Sequence, residues 1–150
     1  MELPPQIPGA HISPRTEDYP VVLLDINEIL PSEGTTPENL ALVRASLLKD
    51  RAIKKPICIE REHKVLMDGH HRLSILRSFG CPLIPVVAFD YSEVTVVSWA
   101  TGEPMDYREV IRRGLSGDLY PPKTTRHFFP VTLFCDIPLE ALTPIPLPAA

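Results

Sequence analysis

Apolar residues in this chain occur as short runs and helical stripes divided by turn-forming residues. The run Val21-Val22-Leu23-Leu24-Asp25 reads as a first strand, followed by a loop through Pro31, Ser32, Glu33 and Gly34. Thr36-Pro37 then opens a helix, because Thr36 can cap it and Pro37 suits its first position. Leu40, Val43 and Leu47 form its apolar stripe, to about Lys49. Ile57-Cys58-Ile59 and Val65-Leu66-Met67 flank a turn around Arg61 to Lys64 and predict a hairpin. Asp68-Gly69 stops the second of these strands, and from His70 the period becomes helical. Leu73, Leu76 and Phe79 share one stripe, Arg72, Ser74 and Arg77 point away, and Gly80 supplies the stop. Val86 to Phe89 and Val94 to Ala100 read as further strands. Asp106 caps a short helix through Tyr107, Val110 and Ile111 that Gly114 ends, and a late strand is expected near Val131 to Phe134. Strands and helices mix without strict alternation, which predicts a compact α+β fold built on a mixed sheet.

Composition narrows this. A length of 150 residues suits one domain with a real core, and 44% hydrophobic with 23% charged residues suits a globular protein. Of the 18 prolines, Pro4, Pro5, Pro8 and Pro14 gather at one end and Pro144, Pro146 and Pro148 at the other. We therefore expect a proline-rich extension over 1–19, a domain over 20–142 and a proline-rich tail over 143–150. No stretch is apolar for the length of a membrane span, and Met1-Glu2-Leu3-Pro4-Pro5 has no basic region followed by an apolar one, so a cytoplasmic location is expected. Cys58, Cys81 and Cys135 form no CxxC pair and are expected as buried thiols. A net charge of −4 argues against a general nucleic-acid surface, although Arg108, Arg112, Arg113, Lys123 and Arg126 crowd the later third.

Three places carry candidate chemistry. Asp68-Gly69-His70-His71-Arg72 runs from a strand into a helix, so its first turn offers unpaired N–H groups and the positive dipole end beside two imidazoles and a guanidinium. Asp68 by itself reads equally well as an N-terminal cap. Adjacent helical positions splay about 100° apart, so His70 and His71 cannot both be core residues on one face. A zinc site is the competing use of His70, His71, His127 and a cysteine, but helical ligands usually sit three or four apart. Lys123-Thr124-Thr125-Arg126-His127 is a loop by pattern, equipped with cations, hydroxyls and an imidazole to grip an anion and a small polar molecule. Glu33 is a lone carboxylate in a loop, the group that phosphoryl transfer to a hydroxyl needs as proton acceptor. Trp99 can wall a small pocket or serve the core.

Taken together, these residues resemble the ParB/sulfiredoxin-like superfamily, and within it the free-serine kinases that make O-phospho-L-serine from L-serine and ADP or ATP. Asp68-Gly69-His70-His71-Arg72 is similar to their phosphate-side motif, and Lys123-Thr124-Thr125-Arg126-His127 to their later motif. Glu33 falls where that family has its catalytic glutamate, and Trp99 follows Asp90-Tyr91 as its counterpart follows an Asp-Tyr pair. The likeness covers roughly Val21 to Leu142. Archaeal members carry a long segment between the Trp-bearing strand and the later motif, and here those two are close. The sulfiredoxin branch has a cysteine before its Gly-x-His-Arg region, which this chain lacks. The partition-protein branch has a Gly-Glu-Arg-Arg type motif and a helix-turn-helix domain, also lacking here.

The resemblance implies a cytoplasmic phosphotransferase acting on free L-serine. Glu33, His70 and His71 would be catalytic, and Asp68, Gly69, His70, His71 and Arg72 would hold the nucleotide phosphates. Asp68 is the candidate Mg²⁺ ligand, and Trp99, Lys123, Thr124, Thr125, Arg126 and His127 would contact the amino acid. It leaves open ADP against ATP, the oligomeric state, and whether the product feeds cysteine biosynthesis or a secondary metabolite. The alternative is a non-catalytic nucleotide-binding regulatory or DNA-associated ParB-like module. All three candidate elements must meet at one cavity for the kinase reading to stand.

Overall fold

A computed structural model describes residues 15–150; most of the proline-rich N-terminal extension lies outside them. A four-stranded mixed sheet forms the centre, in the order β1-β5-β3-β4. Its strands are β1 (Val22–Asp25), β3 (Ile57–Glu60), β4 (Leu66–Asp68) and β5 (Leu83–Phe89). β3 and β4 form the predicted antiparallel hairpin, β5 runs parallel to β3, and β1 runs antiparallel to β5. Two short pairs lie outside this sheet: β6 (Thr95–Ser98) with β7 (Thr125–Phe128), and β2 (Ala52–Ile53) with β8 (Ile137–Pro138).

The central strands read as unbroken apolar runs because both faces of the sheet are covered. Alternate residues serve opposite cores. Ile57, Ile59, Leu66, Ile84 and Val86 meet α1 (Pro37–Asp50) and α2 (His70–Ser78) on one side. Cys58, Val65, Met67, Val87 and Phe89 meet Val110 of α3 (Tyr107–Ser116), with Tyr19 and Tyr120, on the other. α1 begins as expected: the Thr36 hydroxyl accepts from the Asn39 N–H at 3.2 Å and Pro37 takes the first position. Leu73 and Leu76 of α2, and Phe79 just after it, are buried in the core.

Four local expectations are corrected. Gly114 does not end α3; Gly117, at φ 78°, does, while Gly114 is buried against Val65. Its lack of a side chain serves close packing rather than a turn. No strand forms over Val131 to Phe134; strand structure lies earlier, in β7, so Thr125, Arg126 and His127 of the segment read as a loop are paired with β6. Gly69 rather than Asp68 occupies the cap position of α2, because β4 runs on through Asp68 and the reversal needs φ 114°. Among the thiols, Cys58 and Cys81 are buried but Cys135 is only partly so, and all three are free.

Candidate active site

The loop carrying Glu33 is sewn to the domain on two sides. Upstream, the Leu30 N–H donates to the Lys64 carbonyl and the Leu66 N–H to the Leu30 carbonyl. Downstream, the Gly34 N–H donates to the Tyr120 carbonyl at 2.8 Å, and the Tyr120 N–H to the Ser32 carbonyl at 2.9 Å. Residues around 33 and 120 are thereby brought together across the chain. The Glu33 carboxylate completes the junction. Oε1 accepts from the Thr124 N–H (3.2 Å), the Thr125 N–H (2.8 Å) and the Thr125 hydroxyl (2.9 Å), and Oε2 from the Lys123 N–H alone (3.1 Å). Consecutive N–H groups converge on one anion because Lys123 takes a left-handed φ of 56°.

This junction forms one wall of a cleft of about 500 Å³, within the range of small-molecule sites. The start of α2 forms another wall, through Asp68, Gly69, His70, His71 and Arg72, and Trp99, Lys123 and Thr125 complete that end. The residues of the first turn of α2, whose N–H groups no helical carbonyl can reach, line the cleft. Gly69 is required there. A Cβ would stand 3.0 Å from Ile57 Cγ1 and 3.1 Å from Arg72 Nη2, on top of the positive φ.

The imidazoles are bound into the framework. His70 Nε2 accepts from the Ser32 N–H at 3.1 Å, and the Ser32 hydroxyl donates to the Leu66 carbonyl at 3.2 Å. His71 Nε2 accepts from the Thr36 N–H at 3.1 Å. Burial pushes His70 down to about 3 and also lowers His71, whose shift the nearby Glu33 charge opposes. Each ring is therefore neutral and fastens the early loop to α2. Positive charge at the cleft comes instead from Lys54, Lys55, Arg72 and Lys123. Arg72 Nη1 donates to the carbonyls of Lys55 (2.7 Å) and Pro56 (3.0 Å), while Nη2 reaches Asp68 Oδ2 at 3.3 Å.

Not every residue of the later motif lines this cleft. Thr124 gives its N–H to Glu33 and its hydroxyl to the Pro121 carbonyl at 2.6 Å. Arg126 is exposed, with its guanidinium 4.8 Å from both the Trp99 and Phe128 ring centroids. His127 borders an adjoining smaller cleft and contacts the Tyr91 hydroxyl at 2.8 Å. Sequence reading missed the contribution of α1. Asn39, Val43, Ser46 and Asp50 line the main cleft, and their helical spacing, with small polar residues set into an apolar stripe, was the available signal. Among the described residues, the one cluster with metal-ligand spacing is Glu60, Glu62 and His63, none of which borders the main cleft.

The buried histidines predict an acid-sensitive fold. His70 and His127, held down to about 3 and about 4 by burial, regain an ordinary value near 6.5 on unfolding. Below that value the unfolded chain binds more protons, so stability is complete above pH 6.5 and lost as pH falls towards 4. Each contributes up to ~1.4 kcal/mol per pH unit in that window. Urea unfolding at pH 7.5 and pH 5 should differ by about 2–4 kcal/mol, and a flat profile would contradict the assignment of neutral rings.

No family model matches the chain. It is 26% identical over 94 residues to the ATP-dependent L-serine kinase of Staphylothermus marinus, covering 60% of this chain and 34% of that protein. It is 25% identical over 114 residues to the ADP-dependent L-serine kinase SerK of Thermococcus kodakarensis, covering 72% of this chain and 46% of that protein. The chain thus spans less than half the length of either relative. Among solved structures, a free serine kinase in complex with AMP superposes with a TM-score of 0.73 at 17% identity, covering 81% of this chain and 93% of the other. In fold the chain is similar to the free serine kinase, and in sequence it is similar to the archaeal L-serine kinases over part of their length.

Proposed function

We propose that this chain is a free L-serine kinase that transfers a phosphoryl group from ADP or ATP to the serine hydroxyl. The observation that carries this reading is the position of Glu33, a carboxylate locked by the 123–125 turn in the lining of a cleft that a helix start suited to phosphates also lines. Oε2, which accepts one protein hydrogen bond where Oε1 accepts three, is the atom free to take the serine proton. The N–H groups of Gly69 to His71 would hold the phosphates, with Lys55, Arg72 and Lys123 balancing their charge. Val43, Leu47 and Ala52 give the cleft an apolar lining suited to a base.

His71 is the more accessible imidazole and would donate from Nδ1–H to the moving phosphoryl group, while His70 holds Ser32 in place. Asp68 fits a Mg²⁺ role: its carboxylate is exposed, borders the cleft and has only Arg72 as side-chain partner among the described residues. When bound, Mg²⁺ would neutralise phosphate charge, as it does when held by one carboxylate plus substrate oxygens. Trp99 and Thr125 would border the acceptor, with Thr124, Arg126 and His127 in support.

Incubation with L-serine, Mg²⁺ and either ADP or ATP should yield phosphoserine detectable by mass. Absence of product with both nucleotides, from folded protein that still binds them, would replace the kinase reading with that of a nucleotide-binding regulatory module.

A further inference from the structure

Five residues of α1 line the main cleft: Asn39, Val43, Ser46, Leu47 and Asp50. Their spacing of three and four puts them on one face of the helix. Asn39 opens the row, Val43 and Leu47 form its apolar middle, and Ser46 and Asp50, one turn apart, close it. Between Asn39 and Asp50 the helix rises ~16 Å. The Asn39 end adjoins the start of α2, because His71 Nε2 accepts from the N–H of Thr36, the cap of α1. Asp50 stands at the other end, where the chain reverses at Arg51 with φ 53°.

For helix stability alone, Asp50 is the wrong residue in that place. It is the last residue of α1, where the negative end of the helix dipole disfavours a carboxylate and favours Lys or Arg. No neighbouring cation offsets this. Lys54, which lines the same cleft, gives its Nζ to Asp136 Oδ1 at 3.0 Å, and the Asp50 side chain has no hydrogen-bond or ion-pair partner among the described residues. A local choice that the fold does not use, set in the lining of a cleft, points to a ligand.

We infer that Asp50 is a specificity-determining residue that accepts a hydrogen bond from the exocyclic amino group of the nucleotide's base, so that the cleft selects adenine over a 6-oxopurine. The inference rests on the nucleotide reading of the cleft given above and adds the residue that reads the base. A nucleotide laid along α1 with its terminal phosphate at the start of α2 would set its base against Val43 and Leu47 and the edge of that base at Ser46 and Asp50. An ionised carboxylate can only accept, while the Ser46 hydroxyl can donate to the adjoining ring nitrogen. Adenine matches this pair, with an amino donor beside the N1 acceptor. Hypoxanthine reverses it, with the O6 acceptor beside N1–H, and its carbonyl would meet the carboxylate with repulsion.

The test is calorimetric titration of the full chain and of its Asp50→Asn variant with ADP and with IDP, in Mg²⁺ without serine, so that binding is read apart from turnover. The parent should bind ADP about tenfold more tightly than IDP. In Asp50→Asn the two should come within about twofold, because an amide can turn to accept from the amino group or donate to the carbonyl. Loss of one negative charge acts on both nucleotides alike, so the ratio carries the answer. Ser46→Ala should narrow the ratio as well. Asp50→Asn should melt at or above the temperature of the parent, since it removes an unfavourable charge from the helix end. Equal affinities in the parent, or a lowered melting temperature with the ratio intact, would overturn the inference. Phosphoserine formation beside either of those results sinks the inference alone. A preference for ADP that depends on Asp50, without phosphoserine, supports the base contact and sinks the kinase reading.

Discussion

Replacing Glu33 by Gln should lower the rate of phosphoserine formation by ~100-fold or more, with nucleotide affinity nearly unchanged. The substitution keeps the shape of the site. The carbonyl oxygen of the introduced amide can take the place of Oε1 and accept from Thr124 and Thr125, leaving the amide nitrogen opposite the Lys123 N–H that Oε2 now receives. One framework hydrogen bond is lost and the basic oxygen disappears, so the deficit belongs in kcat. Glu33→Ala is a different experiment, because it strands three backbone N–H groups and a hydroxyl. It should cost about 1–3 kcal/mol of stability as well. Steady-state kinetics and nucleotide titration of both variants separate the roles, and an unaltered turnover in Glu33→Gln would remove Glu33 as the proton acceptor.

Gly114→Ala should be the most damaging of the small substitutions away from the cleft. The new Cβ would stand 2.5 and 2.6 Å from the two methyl carbons of Val65, deep between α3 and β4. Overpacking of this kind costs about 1–3 kcal/mol, and the gain in helix propensity of up to ~1 kcal/mol offsets only part of it. A net loss of about 1–2 kcal/mol lowers Tm by about 2–8 °C for a chain of this size. Activity should fall with it, since Arg113 of α3 lies 4.1 Å over the Tyr120 ring and Tyr120 carries the loop of Glu33. Val65→Ala in the same chain removes the clash. The double variant should therefore be more stable than the two single losses add up to, and simple additivity would show that the contact is not the cause.

Gly114 also marks a limit of reading sequence. A glycine late in a helical pattern looks like a stop, and only the approach of Val65, just before β4 and 49 positions earlier, shows that it is a packing site. The same kind of long-range contact hid β7. Its polar composition suits a loop, and pairing with β6 makes it a strand. Where the determinants were local, the pattern sufficed: Thr36-Pro37 at the start of α1, the β3–β4 hairpin, and the Asp68-Gly69 reversal before α2. Within the site, residue types pointed to Glu33 and the 123–125 turn but not to their mutual contact, which depends on backbone N–H groups that no sequence motif displays. The histidine pair suggested positive charge. Burial against Ser32 and Thr36 makes both rings neutral anchors, and Lys54 and Lys55, unlike Lys123, had no pattern to announce them.

Phosphorus NMR of the full chain with Mg²⁺, L-serine and one nucleotide at a time tests the central claim most directly, because it follows donor and product together. With ADP or with ATP, the account predicts that phosphoserine appears in step with loss of the donor's terminal phosphate, one for one, and that omitting serine stops both. Loss of that phosphate to inorganic phosphate with no phosphoserine, or intact nucleotide in every reaction, would contradict it.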